Sequence, residues 1–163
     1  MKLFISQLIL RLGLRPSYPS DSILKYVLLS KKKRTQLQLI HDNIILVQVE
    51  PLKFVPSWFK FVNDSFKNKY FEGHVVFFII DKKGIENNVN YQNYKKCNSL
   101  KMIEIEEKYG ETEGITFAKF FKKNTDHIAI TNFLKKIINQ VFITENKSFD
   151  IYFQIQNLEN MGG

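Results

Sequence analysis

The sequence predicts an α+β domain in which two helices pack on one face of a four-stranded antiparallel sheet. Short runs that are apolar or alternate with polar residues occur in the order strand, helix, strand, strand, helix, strand. The two longer segments, residues 56–71 and 126–142, have apolar residues at spacings of three and four, which is typical of amphipathic helices. With 163 residues, 44% of them apolar, the chain has the length and the apolar content of one such domain.

The first strand and helix are predicted over residues 43–54 and 56–71. Alternating Ile45, Val47 and Val49 indicate a strand with one buried face. Proline is favoured in the first turn of a helix and glycine just after its last turn, so Pro56 and Gly73 bound the helix that follows. The apolar face of this helix is predicted to hold Phe59, Val62, Phe66 and Tyr70.

The second strand, HVVFFII over residues 74–80, is apolar at successive positions rather than at alternate ones. Successive side chains of a strand point to opposite faces, so both faces of this strand must be covered. We expect the predicted helices to cover one face and the N-terminal segment or a neighbouring protein to cover the other.

The second half of the chain begins with a long polar loop, at about residues 82–100, between the second and third strands. Residues 100–110 predict the third strand, and ITFAKFF at residues 115–121 is either a strand or irregular. Asn124 or Thr125 caps the second helix. Alternating apolar residues at 149–155 predict the last strand.

This order of elements is that of the ferredoxin-like split βαβ arrangement (β-α-β-β-α-β). We therefore assign residues 39–163 to a single α+β domain and residues 1–38 to a basic N-terminal extension. The first twenty residues contain no acid, which fits either an organelle transit peptide or a retained extension that contacts RNA.

The charge balance favours an anionic partner. The chain has 24 Lys and Arg against 16 Asp and Glu, for a net charge of +8, and its pI is about 9.5. Only Arg11, Arg15 and Arg34 are arginine, and Lys, Ile, Asn, Phe and Tyr are abundant. Lys, Ile, Asn, Phe and Tyr all have A/T-rich codons, which indicates an AT-rich genome, such as a mitochondrial, plastid or protist one, and favours an organelle-encoded protein.

Basic residues at three places are the candidate RNA contacts: a run at residues 31–34, a pair at the end of the second strand, and a group on the far side of the same loop. Lysine binds phosphate as a mobile point charge, without base specificity. Tyr91 and Tyr94, between the loop lysines, are candidates for stacking on bases. We expect the loop to be ordered only when RNA is bound, because its middle has little apolar content. The candidate RNA-binding residues are Lys31, Lys32, Lys33, Arg34, Lys82, Lys83, Lys95, Lys96 and Lys101.

No catalytic, cofactor or metal motif is found in the sequence. Phosphate-binding glycine motifs, metal-binding histidine pairs and the G-x-S-x-G nucleophile elbow are all missing. The single cysteine, Cys97, excludes a disulfide framework. The acidic run Glu104, Glu106, Glu107, Glu111 and Glu113 could hold a divalent ion, but it is more typical of a solvated loop or a contact for a basic protein. We expect no enzyme activity, no cofactor, no small-molecule substrate and no membrane span.

The residues also resemble a known family. ILVQVEPLKFVPSWFKFVNDSF, EGHVVFFIIDKKG and LKMIEIEEKYGETEGITF are similar, in order, to segments of small-subunit ribosomal protein ten. The resemblance covers about residues 43–156. IEEKYG stands where that family has a Ser-Pro-His segment, and residues 85–99 would be an insertion.

This resemblance implies a structural constituent of an organellar ribosome, in its small subunit, with rRNA and other ribosomal proteins as partners and no catalytic residues. Lys82, Lys83, Lys95, Lys96 and Lys101 would then lie on the arms of an RNA-binding hairpin, and the protein would be located in mitochondria. The alternatives are an accessory subunit of a mitochondrial respiratory complex and a small enzyme on a ferredoxin-like scaffold.

Overall fold

Alternating and continuous apolar runs form the strands of one sheet in the computed structural model, which describes residues 35–41, 44–109, 112–142 and 152–157. Each strand pairs antiparallel with its neighbours. The strands are β1 (Thr35–His41), β2 (Ile44–Pro51), β3 (His74–Asp81), β4 (Ile103–Tyr109), β5 (Thr112–Phe121) and β6 (Tyr152–Asn157). The predicted α+β class and the antiparallel sheet are confirmed.

The sheet differs from the predicted four-stranded layout. Within the described residues it has six strands in the order β4-β5-β3-β2-β1-β6. ITFAKFF lies inside β5, which is flanked by β3 and β4, and β1 begins at Thr35, within the segment assigned to the extension. β2 pairs directly with β3, whereas a ferredoxin-like order would place another strand between them. One split unit is present: β3 and β4 run parallel on either side of β5, because each pairs antiparallel with it.

The predicted first helix is two shorter helices. Pro56–Phe61 is a 3-10 helix, and α1 (Asp64–Tyr70) follows it. Val62 is extended, and the Asn63 side chain accepts a hydrogen bond from the Phe66 amide, which starts the second helix anew. A favourable cap at Asn63 therefore interrupts an otherwise continuous apolar stripe.

The predicted disordered loop is a helix. Residues Val89–Lys96 form α2, whose N-cap Asn88 accepts hydrogen bonds from the amides of Asn90 and Tyr91. Tyr91 and Tyr94 are one turn apart and buried, so they fix the helix to the sheet. The expectation that this segment becomes ordered only on RNA was wrong, because these two rings supply the apolar contact that the polar composition conceals.

The predicted second helix is α3 (His127–Ile137), capped by Asp126 rather than by Asn124 or Thr125, and extended by a π-helical turn, Ile138–Phe142. α2 and α3 pack on one face of the sheet, here called the helical face. Phe78 and Phe117 are stacked at its centre, with ring centroids 4.9 Å apart, and Leu134 and Ile137 are buried in the same cluster.

The opposite face, here called the Trp58 face, is covered by the segment from Leu52 to Tyr70. Val75 and Phe77 of β3 pack there against Trp58 and Phe59, while Val76, Phe78 and Ile80 point to the helical face. This answers why β3 is apolar at successive positions: both of its faces are buried. The predicted placement of both helical segments on one face was wrong, and residues of the domain itself cover the face that had been assigned to the extension or a neighbour.

Candidate nucleic-acid interface

Five of the predicted RNA-contacting lysines lie on the connection from β3 through α2 to β4. Lys82 and Lys83 follow β3, Lys95 and Lys96 form the last turn of α2, and Lys101 precedes β4. The basic run Lys31, Lys32, Lys33 and Arg34 lies outside the described residues. The connection does not form the arms of a hairpin, so these lysines are distributed over two ends of the sheet.

Lys82 is held by carboxylates of β4 and β5. Its Nζ lies 2.8 Å from Oε2 of Glu106 and 3.7 Å from Oε2 of Glu113. The hydrogen bond to Glu106 and the charge of that carboxylate raise the pKa of Lys82. Its charge is therefore balanced within the chain, which weakens it as a phosphate contact.

Lys95 is held in a similar way. Its Nζ lies 5.2 Å from the ring centroid of Tyr91 and 3.6 Å from Oε1 of Glu104. The hydrogen bond with Tyr91, followed by the charge of Glu104, raises the pKa of Lys95. Its ammonium group is directed to β4 and is not presented alone to solvent.

The glutamates of β4 meet lysines of the same chain. Beside the pairs of Glu106 and Glu104, Lys60 Nζ lies 3.3 Å from Oε1 of Glu107. These lysines come from the 3-10 helix, from the end of β3 and from α2. Glu104, Glu106 and Glu107 thus form ion pairs within the domain, and a contact of the acidic run with a basic protein stays a prediction. No group of His, Cys, Asp and Glu suited to a metal ion occurs among the described residues.

Lys83, Lys96 and Lys101 are different. Each is exposed, and none has a carboxylate partner among residues 35–41, 44–109, 112–142 and 152–157. Their charge is uncompensated within the described part of the chain. They are the predicted site residues that are free to meet an anion.

Lys101 has a backbone conformation unusual for its residue type, with φ of 44°. Leu100 before it is 1% exposed, and Ile103, two residues after it, begins β4 and pairs with Ala118 of β5. The chain reverses between these two anchors, and the Lys101 side chain is left in solvent. A left-handed conformation at a lysine costs on the order of 1 kcal/mol, and such strain often marks functional positions.

Lys119, which the sequence analysis did not select, contacts the backbone of Lys101. Lys119 Nζ donates a hydrogen bond to the carbonyl oxygen of Lys101 across 3.3 Å. Exposed Lys122 follows the end of β5, which lies beside the start of β4 because Ile103 pairs with Ala118. We call Lys96, Lys101, Lys119 and Lys122 the Lys101 cluster. The strand register brings Lys119 and the end of β5 to Lys101, and no local spacing in the sequence could have indicated this.

Tyr91 and Tyr94 do not stack on bases. They are 9% and 8% exposed, and their ring centroids lie 6.2 Å and 4.4 Å from that of Phe117. Burial raises the pKa of Tyr94. The predicted stacking role was wrong because the rings belong to the core.

Cys97 and His74 are both held at the ends of elements of the fold. Cys97 Sγ lies 2.7 Å from Oε1 of Gln140 and thereby links the end of α2 to the π-helical turn. His74 is half-buried at the start of β3, and burial lowers its pKa from 6.5 to about 4. Within the described ranges, no helix is long and apolar enough to cross a membrane.

No family model, curated protein or solved structure matches this chain.

Proposed function

We propose that this protein is a structural constituent of an organellar ribosome, in the small subunit of a mitochondrial ribosome, and that the Lys101 cluster contacts rRNA. The observation that carries the proposal is the separation of charge at β4. Lys82, Lys95 and Lys60 neutralise its glutamates, while Lys96 and Lys101 meet no described carboxylate. Lys96 and Lys101 therefore carry positive charge that no described carboxylate balances.

Phosphate contact follows from the chemistry of this cluster. Lysine ammonium groups bind the RNA backbone as point charges and release condensed counterions, which gives affinity without base specificity. The net charge of +8 adds long-range attraction to any polyanion. No described tyrosine or tryptophan of the predicted site is presented for base stacking, so the contact is to phosphates.

The split unit formed by β3, α2 and β4 around β5 shares the general connectivity of the ferredoxin-like fold, but it stands where the resemblance to small-subunit ribosomal protein ten places a hairpin. The basic exit of β3 into the crossover is also in place, at Lys82 and Lys83. In this proposal the protein has no catalytic role.

The principal test is sedimentation of a tagged protein from organelle lysate at low and high salt. A structural ribosomal protein is expected to move with the small subunit and to shift to the top of the gradient after nuclease treatment. Movement with a membrane complex, unaffected by nuclease, would instead support an accessory subunit of a respiratory complex.

A second test isolates the RNA contact. The purified protein is titrated with an rRNA fragment at several salt concentrations. Replacing Lys96 and Lys122 together by alanine is expected to lower the slope of log K against log salt by about 2 in magnitude. The matched control replaces Lys60 and Lys82, whose charges are already balanced, and is expected to change the slope much less. Equal effects of the two double variants would show that the Lys101 cluster is not the contact.

A further inference from the structure

The edge of the sheet at β4 is open within the described part of the chain. β4 pairs with β5 on one side, and no described strand pairs with its other side. An open edge presents unpaired backbone N–H and C=O groups and is a template for another strand. The pairing that this edge favours can be derived from its register.

The outward backbone groups of β4 belong to Glu104, Glu106 and Lys108. The amide of Lys82 donates to the carbonyl of Glu113 across 2.9 Å, so the backbone groups of Glu113 point towards β3. Glu113 lies opposite Lys108 in the hairpin, and the two are therefore a pair without mutual hydrogen bonds. The backbone groups of Lys108 consequently point to the open edge, and alternation extends this to Glu106 and Glu104.

We propose that a second copy of this chain adds to this edge, with its own β4 antiparallel and Glu106 on the two-fold axis. In this register Glu104 lies opposite Lys108 of the second copy, and Lys108 lies opposite its Glu104. Every outward N–H and C=O of the three residues then finds a partner across the axis. The inference rests on the strand geometry and not on the proposed ribosomal function.

Charge complementarity favours the second copy, and the number of paired backbone groups selects this register. The Glu104–Lys108 pairing occurs twice, on the helical side of the joined sheet. The two Glu106 side chains meet at the axis, but each has Lys82 Nζ at 2.8 Å to offset its charge. Sliding the strands so that Glu106 faces Lys108 also forms two opposite-charge pairs, but it leaves the backbone groups of Glu104 beyond the end of the strand without a partner. The opposite slide places Glu104 against Glu106.

The other side of the strand is compatible with the same pairing. Ile103 is 39% exposed and comes opposite Tyr109 of the second copy. A single added strand buries less area than the ~1,000 Å² typical of stable interfaces, so association in roughly the micromolar to millimolar range is expected.

Sedimentation equilibrium over a concentration series measures this association. The apparent mass is expected to rise from 19.3 kDa towards twice that value. Glu106→Pro removes an outward N–H that β5 does not use, so the variant is expected to fold and to remain monomeric. Its matched control, Glu106→Gln, removes the same ion pair and keeps the N–H. This control is expected to dimerise at least as well as the natural chain.

A charge exchange tests the register. Lys108→Glu places two carboxylates together at each end of the interface and is expected to weaken association at least tenfold. Adding Glu104→Lys restores the opposite-charge pairs and is expected to recover most of that loss.

Three results would overturn the proposal. The first is a natural chain that stays monomeric at about 1 mM, the weakest association expected for such an interface. The second is dimerisation of Glu106→Pro equal to that of Glu106→Gln, with circular dichroism showing both folded. The third is failure of the charge exchange to restore association, which would indicate another surface or another occupant, such as a basic segment of a different protein.

Discussion

The indole Nε1 of Trp58 donates a hydrogen bond to Oε2 of Glu50 across 2.8 Å, and both side chains are buried on the Trp58 face. Glu50 belongs to β2, whereas Trp58 lies in the 3-10 helix that crosses the sheet. The ring of Trp58 also contacts Phe77, with centroids 4.7 Å apart. This bond therefore fixes the covering segment on the sheet at a defined position.

Trp58→Phe is expected to lower the free energy of unfolding by about 2 kcal/mol. The variant keeps an aromatic ring but removes a buried donor to a carboxylate, and such charged hydrogen bonds are worth about 1.5–3 kcal/mol. Urea unfolding measures the change. In a double-mutant cycle with Glu50→Gln, the two effects should couple by at least about 0.5 kcal/mol. Because glutamine keeps an acceptor oxygen, strict additivity would mean that the charge of the carboxylate adds nothing to the bond.

Gly73→Ala is expected to destabilise the domain by about 3 kcal/mol or more, because a Cβ there overlaps the carbonyl oxygen of Phe121. The Gly73 backbone is fixed as well: its carbonyl accepts from Leu52 across 3.0 Å and its amide donates to Tyr70 across 2.7 Å. The reason is steric, since neighbouring backbone cannot move away. Thermal and urea unfolding measure the loss.

Gly84→Ala is the matched comparison for Gly73→Ala, and it is expected to destabilise the domain for a different reason. Gly84 has a left-handed backbone, with φ of 71°, and open space around its Cα. The expected cost is about 1 kcal/mol and purely conformational. Gly84→Asn should therefore cost less than Gly84→Ala, while Gly73→Asn should be at least as damaging as Gly73→Ala. The reverse ranking would contradict this assignment.

Sequence patterns predicted the elements whose apolar period is unbroken. β3 was predicted from a continuous run, and its two buried faces followed from the same run. β2 and the stripe of α3 were predicted from alternation and from spacings of three and four. These patterns depend only on neighbouring residues, so the sequence is sufficient for them.

Sequence patterns did not predict the elements and contacts that depend on a few residues or on residues far apart in the chain. α2 has only Tyr91 and Tyr94 to bury, and no window average detects two rings one turn apart. The ion pair of Lys82 with Glu106 joins residues 24 positions apart, and the Lys101 cluster depends on the register of β4 against β5. Which lysines are neutralised and which are free is a property of strand pairing, which the sequence alone does not specify.

His74 is expected to make stability depend on pH between about 6.5 and 4. Burial lowers its pKa from 6.5 to about 4 in the folded chain, so the unfolded chain binds a proton more readily in this window. The stabilisation is complete above pH 6.5 and is lost as the pH falls, by up to about 3 kcal/mol. Urea unfolding of His74→Gln should lack this component. His127→Gln, the control, should keep it.

Limited proteolysis is expected to spare residues 84–98 in the isolated protein. α2 is capped by Asn88 and held through buried Tyr91 and Tyr94, and the Asn93 side chain donates to the carbonyl of Val141 across 3.0 Å. Proteases cut segments that open locally, and a packed helix opens rarely. Tyr94→Ala, which removes the main contact with Phe117, should make this segment the first to be cut. Rapid cutting of the natural chain here would contradict the packing of α2.

Lys101→Gly is expected to separate RNA affinity from folding. Glycine adopts the left-handed conformation without the penalty that lysine has at φ of 44°, which offsets the entropy that glycine loses on folding, so stability should change by less than about 1 kcal/mol. The side chain is exposed and meets no described carboxylate. Its removal should therefore lower RNA affinity about five- to tenfold at moderate salt and lower the salt slope by about 1.

Lys82→Ala, which removes a balanced charge, is the control and should change RNA affinity much less. Unchanged RNA binding by a stably folded Lys101→Gly would remove Lys101 from the interface, whereas loss of folding would show that the lysine side chain supports the turn.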